Sequence, residues 1–151
     1  RFEWAENQWR SALDENNITR PLMRWATAFQ NDWAARADWC VKNFRDANHP
    51  PKIQLAHAIA LKAKPGERIR LSARPSSDPD QNQLSFKWWH YPEAGTYRDK
   101  VVIDAADQIE ASLTVPTSAR ANDTIHLICE VTDDGVPPLT RYQRVVVTIS
   151  E

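Results

Sequence analysis

Glycine, cysteine and methionine are scarce in the 151-residue sequence, which contains three, two and one of them, respectively. Two cysteines cannot form a disulfide framework. A chain of this length buries about two-thirds of its unfolded surface, so it needs no such staple. No apolar run approaches the roughly 20 residues that span a bilayer. The net charge of −1 excludes a basic field over the whole chain. We therefore expect neither a nucleic acid polymer nor a membrane as partner.

The composition changes near residue 50. Five of the seven tryptophans precede this point, whereas nine of the ten prolines and all three glycines lie at or beyond it. Proline and glycine punctuate short strands, and their scarcity permits long helices. The sequence predicts a helical segment over residues 1–49 and a β-rich module over residues 50–151, joined at Asn48-His49-Pro50-Pro51.

Apolar residues in the first third recur with the 3.6-residue period of a helix. They form one stripe, which consists of Leu22, Trp25, Ala26, Phe29, Trp33, Ala37, Cys40, Val41 and Phe44. The pattern predicts helix over residues 20–45, with a break at Asn31-Asp32 where Asp32 would cap a second helix. A short helix over residues 4–13 would precede it, so we expect two or three helices. Tryptophans at this spacing favour core packing over a ligand platform. Because the segment is too short to bury so wide a stripe, we expect it to dock on the β-rich part or on a further domain.

Beyond residue 52 the apolar period becomes two, with turn formers at regular spacing. The predicted strands are Ile53–Leu61, Arg68–Ala73, Gln83–Tyr91, Lys100–Asp104, Ile109–Val115, Thr124–Asp133 and Thr140–Ile149. Seven short strands in this length predict an immunoglobulin-like β-sandwich, so the fold is mostly β with a helical N-terminal segment. Alternation places Trp88 in the core and makes Cys129 a buried thiol. We therefore expect no disulfide between Cys129 and Cys40.

The best candidates for carbohydrate contact are Trp89, Tyr91 and Tyr97, with Lys87 and Glu93 nearby. Trp89 and Tyr91 are two residues apart on one strand, so they share a face at a spacing of about 7 Å. Sugars stack their C–H faces on such rings and bond neighbouring polar groups through their hydroxyls. The same rings could instead seat the tryptophan-rich helical segment, and we favour that alternative.

Four stretches together resemble one family: residues 24–40, residues 47–51, residues 88–97 (WWHYPEAGTY) and residues 126–135 (HLICEVTDDG). The family is that of bacterial cellulose-binding proteins with a nucleoside-hydrolase-like domain. The resemblance covers the chain from about residue 20 to its end. It implies that this chain holds the last helices of a nucleoside-hydrolase-like domain followed by a C-terminal immunoglobulin-like module. It also implies a secreted or periplasmic bacterial protein, a polysaccharide or glycoside ligand, and the missing hydrolase-like domain as partner.

The resemblance bears on metal chemistry through Asn31-Asp32. Nucleoside hydrolases carry a late His-Asp pair whose aspartate ligates calcium, and Asp32 is similar in position, with Asn31 in place of the histidine. Asp32 would then be a Ca²⁺ ligand in the intact parent only, and helix capping is the favoured reading. The acidic turns at Asp78-Pro79-Asp80 and Asp133-Asp134-Gly135 could share a calcium ion, although ordinary turn chemistry is favoured.

We assign no catalytic residue and expect no cofactor in this chain. Two functions follow from these readings. The first is an accessory carbohydrate-binding (cellulose-binding) or structural module of a secreted protein. The alternative is part of an N-glycoside hydrolase whose aspartate cluster lies on a missing N-terminal portion.

Overall fold

The computed structural model describes residues 23–151, which form one helix and two β-sheets. The elements in chain order are helix α1 (Ala26–Val41), a 3₁₀ turn (Phe44–Asp46), strands β1 (Ala60–Ala63), β2 (Arg68–Ser72) and β3 (Leu84–His90), a second 3₁₀ turn (Pro92–Ala94), and strands β4 (Ile103–Asp104), β5 (Glu110–Thr114), β6 (Thr124–Asp133) and β7 (Thr140–Ile149). In this part of the chain no helix combines the length and apolar character needed to cross a membrane.

The two sheets form the predicted sandwich. One sheet has the strand order β1-β7-β6-β3 and the other β2-β5-β4. The pair β1–β7 is parallel, and the other strand pairs are antiparallel. The first strand, β1, thus pairs with the last, β7, and the chain crosses between the sheets at β2, β3, β4 and β6, as in immunoglobulin-like sandwiches. The mostly β fold with seven strands is confirmed.

The core lies between the sheets and follows the alternation of the sequence. In β6, Ile125, Leu127, Cys129 and Val131 all face inward and are fully buried. Trp88 is 2% exposed, and its indole N–H donates to the Gln108 carbonyl oxygen at 3.1 Å. Both cysteines are free thiols. The core tryptophan, the buried thiol and the absence of a Cys40–Cys129 disulfide are confirmed.

The first strand is shorter and later than predicted. The prediction was Ile53–Leu61, whereas β1 comprises only Ala60–Ala63. Upstream of it, Lys52 makes an isolated bridge with Ser77, and Ile53 and Leu55 pack against the core from an irregular segment. Alternating apolar residues therefore reach the core here without a strand ladder, which explains why periodicity alone misplaced the strand.

Helix α1 is continuous, so the predicted break at Asn31-Asp32 was wrong. The helix begins after Trp25, which makes no side-chain cap hydrogen bond. Asp32 lies in the second turn and caps nothing. It forms ion pairs with Arg36, at 2.7 Å, and with Arg141 of β7, at 2.9 Å. Of the two or three helices expected, the described residues contain α1 and the two 3₁₀ turns, and the helix predicted over residues 4–13 lies outside them.

Most of the apolar stripe of α1 faces away from the sandwich. The side chains of Phe29, Trp33 and Val41 are 73%, 68% and 82% exposed, whereas Ala35 on another face of the helix is 1% exposed. The expectation of core packing is therefore wrong for these residues. Among the described residues of the stripe, Trp25 packs on aromatic rings of the sandwich. The face of α1 toward the sandwich combines the buried Ala35 with Asn31 and Asp32, which bond to Pro138 and Arg141. A search for apolar periodicity does not detect such a mixed face.

The segment between α1 and the sandwich is fastened by Asn48, which is 7% exposed. Its amide nitrogen donates to Asp133 Oδ1 at 2.9 Å and to the Pro137 carbonyl oxygen at 2.8 Å. Its amide oxygen accepts from Asn82 Nδ2 at 2.7 Å. Its carbonyl oxygen accepts from Trp39 Nε1 of α1 at 2.7 Å. One buried residue thus links the helix, through its main-chain carbonyl, to the segment before β3 and to the β6–β7 turn, through its side chain.

Candidate carbohydrate-binding site

The candidate site lies on the outer face of the four-stranded sheet. Because Trp88 points into the core, its neighbours Lys87 and Trp89 point outward. Lys87 pairs in register with Glu130 of β6, which pairs with Tyr142 of β7. Three strands therefore place a cation, a carboxylate and aromatic rings side by side.

Trp25, immediately before α1, packs on these rings. Its ring centroid is 5.5 Å from that of Trp89 and 4.7 Å from that of Tyr142, at interplanar angles of 46° and 86°. Tyr91 lies 6.4 Å from Trp25 and 5.7 Å from Trp89. Tilted and edge-on arrangements are the favoured geometries of aromatic pairs. The sheet rings thus contact the start of α1, which is the alternative favoured from the sequence.

Polar groups hold the cluster together. Arg24 forms an ion pair with Glu93 at 3.1 Å, and its guanidinium lies 5.7 Å from the centroid of the Trp89 ring. Trp89 Nε1 donates to Glu130 Oε2 at 3.2 Å. Burial, with a smaller contribution from the Glu130 charge, raises the pKa of Tyr142 to about 12. The tyrosine hydroxyl is therefore protonated at neutral pH and can donate a hydrogen bond.

A cleft opens beside the Trp25–Trp89–Tyr142 contact. Its volume is about 370 Å³, and its lining comprises Arg24, Trp25, Lys87, Trp89, His90, Pro92, Glu93, Glu130 and Tyr142. A second hollow of about 430 Å³ shares Trp25 and Tyr142 with it and continues along the helix to Arg36. Both volumes lie within the range of about 300–1,000 Å³ found for small-molecule sites. We refer to the first as the cleft, to the second as the hollow, and to both together as the groove.

The structure brings together three of the four residues predicted to contact carbohydrate. Trp89 and Glu93 line the cleft, and Tyr91 touches Trp89. Tyr97 does not join them. It is 8% exposed and belongs to the core cluster, and its hydroxyl lies 2.8 Å from Ser118 Oγ. It therefore cannot form part of a shared exposed platform.

Sequence reasoning missed Trp25 and Tyr142 as members of the site. Tyr142 is not among the residues predicted to contact carbohydrate, and Trp25 was assigned to a helical core stripe. The contact depends on the β6–β7 register, which pairs Tyr142 with Glu130. The only sequence signal was that Tyr142 occupies a position of the last strand whose side chain points away from the core.

The acidic turns use their carboxylates to bind backbone amides. Asp78 Oδ1 accepts from the N–H groups of residues 80 and 82 at 2.8 and 3.1 Å. Asp133 Oδ1 accepts from those of Gly135 and Leu139, both at 3.0 Å. Within residues 23–151 no group of three or more His, Cys, Asp or Glu side chains is arranged to hold a metal ion. These contacts are turn chemistry, the reading favoured from the sequence.

Asp32, the residue predicted to bind Ca²⁺ in the intact parent, lies in α1 between two arginines. The hydrogen bond from Arg36, together with the Arg141 guanidinium, holds the pKa of the Asp32 carboxyl below its ordinary value despite partial burial. In this chain the carboxylate is an ion-pair partner. The calcium role would require ligands outside this chain and stays a prediction.

Comparison with known proteins bears on the identity of the module. Residues 68–149 match the family model described as "Cellulose-binding protein Sde0182, C-terminal domain". A nucleoside hydrolase-related protein from Saccharophagus degradans, associated with carbohydrate metabolism, is 35% identical with a TM-score of 0.80. The alignment covers 84% of this chain and 32% of that protein, so this chain spans about a third of its length.

A more distant similarity is to the solution structure of the PKD domain from KIAA 1837 protein, with 20% identity, a TM-score of 0.49, and coverage of 66% of this chain and 88% of that domain. No curated protein matches the sequence. The family match extends over more than half of the sequence and confirms the resemblance noted from the motifs. The chain belongs to the family of the C-terminal domain of cellulose-binding protein Sde0182.

Proposed function

We propose that this chain is an accessory carbohydrate-binding module, with cellulose or a related β-glucan as its ligand. The observation that carries the proposal is the aromatic cleft, in which Trp25, Trp89 and Tyr142 meet charged side chains on the outer face of a rigid sheet. Aromatic rings supply stacking surfaces for the C–H faces of sugars. The lining also provides donors and acceptors for hydroxyl groups.

The charge balance of the cleft favours a neutral ligand. Arg24 and Glu93 neutralise each other in an ion pair. Lys87 and Glu130 carry opposite charges on adjacent strands. A net field that would select an acidic or a basic polymer is therefore lacking in the lining. Neutral β-glucans, including cellulose, fit this balance.

Trp89→Ala tests the proposal, with Trp33→Ala as the matched control. Trp33 is also a tryptophan but lies 68% exposed on the outward face of α1. Loss of one stacked ring costs about 1–3 kcal/mol for nucleobases, used here as an analogy. Retention of the chain on amorphous cellulose should then fall about tenfold for Trp89→Ala and stay unchanged for Trp33→Ala.

A thermal melt of each variant completes this test. Because Trp89 also seats Trp25, its removal should lower the melting temperature as well as glycan retention. A lower melting temperature with unchanged retention would mean that the rings serve only as a seat for the helix, and the proposal would fail.

We further propose that a nucleoside-hydrolase-like domain of a longer parent protein packs on the outward face of α1. Phe29, Trp33 and Val41 leave large apolar side chains exposed there, and surfaces of this kind mark interaction sites. The similar protein from Saccharophagus degradans is about three times longer than the aligned region. The exposed apolar face of α1 therefore offers a packing surface to a domain attached at this helix.

Sedimentation distinguishes this domain from a second copy of the chain. The chain alone should sediment as a monomer, and it should bind the separately expressed hydrolase-like region of its full-length gene product. Phe29→Ser with Trp33→Ser should abolish that binding. A dimer of the isolated chain that these substitutions dissociate would instead assign the face to self-association.

We also propose a secreted or periplasmic location, because an insoluble polysaccharide is met outside the cytoplasm. Fractionation of the source bacterium with an antibody against the chain tests this. The alternative function, N-glycoside hydrolysis by the parent with calcium, rests on residues outside this chain.

A further inference from the structure

The groove differs in shape from a surface that binds a flat crystal. A crystalline glucan face requires exposed rings that lie in one plane. Here Trp25 is inclined by 46° to Trp89 and by 86° to Tyr142. Trp89 and Tyr91, the pair on a single strand, are inclined by 67° to each other. Trp25, Trp89 and Tyr142 therefore do not share a plane and cannot lie flat together on a crystal face.

The two parts of the groove meet at Trp25 and Tyr142, at the junction between α1 and the sheet. The cleft extends from the Trp25–Tyr142 contact toward Glu93, and the hollow extends from the same contact toward Arg36. One wall is the start of α1 and the other is the outer face of the sheet. An extended chain that crosses Trp25 and Tyr142 contacts both of these open concavities.

Polar groups occur at both ends of this path. Lys87 and Glu130 lie in the cleft, and Arg36 and Thr140 lie in the hollow. Lys87 and Arg36 are both exposed to solvent. A glycan that crosses the Trp25–Tyr142 contact would thus find aromatic surface at its centre and hydrogen-bonding groups on either side.

From this geometry we infer that the ligand is a single extended β-glucan chain that runs along the helix–sheet junction and occupies both the cleft and the hollow. This inference rests on the proposed function and specifies its ligand as a soluble or amorphous chain rather than a crystal surface. It also makes α1 part of the binding site, because Trp25 and Arg36 belong to the helical segment.

Calorimetry with cello-oligosaccharides tests the length of the site. Cellohexaose should bind about tenfold more tightly than cellobiose, because only the longer chain reaches both parts of the groove. Lys87→Ala and Arg36→Ala should each weaken cellohexaose binding about fivefold, the equivalent of one hydrogen bond. Lys64→Ala, a similar removal of a cation in the turn between β1 and β2, lines neither part and should leave binding unchanged.

Depletion assays on two celluloses separate the failure of this inference from that of the proposed function. Retention on amorphous cellulose with little on microcrystalline cellulose supports the single-chain site. Equal retention on both, with affinity independent of oligosaccharide length, would overturn it and leave the proposed function standing. Binding to no glucan at all would refute the proposed function and this inference with it.

Discussion

The contact between Asn48 and Gly135 provides a sharp test of how the helical segment is fastened to the sandwich. A Cβ atom at Gly135 would overlap the carboxamide of Asn48, which is held in place by its three hydrogen bonds. The Asn48 side chain can therefore occupy this position only because residue 135 has no side chain. Asn48→Ala, Gly135→Ala and the double variant form a complete cycle.

The magnitudes follow from the contacts. Asn48→Ala removes two bonds to neutral groups, at about 1 kcal/mol each, and one to a carboxylate, at about 2 kcal/mol, so the free energy of unfolding should fall by about 3–4 kcal/mol. Gly135→Ala should cost about 1–3 kcal/mol through overpacking. In the double variant the overlap is gone. The double variant should therefore lose as much free energy of unfolding as Asn48→Ala alone, which gives a coupling free energy of about 1–3 kcal/mol.

Urea unfolding followed by tryptophan fluorescence measures all four proteins. Asn43→Ala is the matched control, because its amide makes one exposed bond to Asp46 and its loss should cost less than about 0.5 kcal/mol. Additive losses in the cycle would refute the reasoning. So would a loss below about 1 kcal/mol for Asn48→Ala, since a buried three-bond clamp cannot be that weak.

Three further predictions concern titrating and reactive groups. The folded-state pKa of Asp32 lies below its ordinary value of 3.8. Its ion pairs therefore stabilise the fold above about pH 4 and lose that effect as pH falls through the lowered pKa. Asp32→Asn should lower the free energy of urea unfolding by about 0.5–1 kcal/mol at pH 7. A difference in stability from the unsubstituted chain that persists at pH 2 would contradict this. Burial lowers the pKa values of His90 and His126 below 6.5. As pH falls from 7 to 5, the unfolded state therefore takes up more protons than the folded state, and the melting temperature should drop. The drop should be less steep in His90→Gln. Burial raises the pKa of Cys129 to about 12, so Ellman's reagent should modify the exposed Cys40 quickly and Cys129 only after denaturation; two fast thiols would contradict the buried position.

The sandwich could be predicted from the sequence because each strand carries its own evidence. Alternation in β3 and β6 identified Trp88 and Cys129 as inward-facing, and both are buried. The same local rule placed Trp89 on the outer face. Periodicity failed where apolar residues pack without a ladder, as at Ile53, and where the contact partners lie on distant elements.

The site was only partly predictable for the same physical reason. Trp89, Tyr91 and Glu93 are close in sequence, so their proximity follows from one strand and the turn after it. Trp25 and Tyr142 join them through the docking of α1 and the register of β7, which no single segment encodes. The orientation of α1 was likewise set by polar contacts such as Asp32 with Arg141, and these carry no periodic signal.

The clamp at Asn48 has a consequence for how a bound glycan would be presented. Many binding modules are joined to their neighbours by flexible linkers, whose end-to-end distance is about 5–6 Å multiplied by the square root of the number of residues. A ligand bound to such a module can occupy a large volume around the neighbouring domain. Here the Trp39 bond to the Asn48 carbonyl, at 2.7 Å, and the Asn48 bond to Asp133, at 2.9 Å, leave no such tether between helix and sheet. A polymer held in the groove would keep one orientation toward any domain attached to α1. The effective concentration of the glycan at that domain would be very high if the bound glycan points toward the domain, and close to zero if it does not.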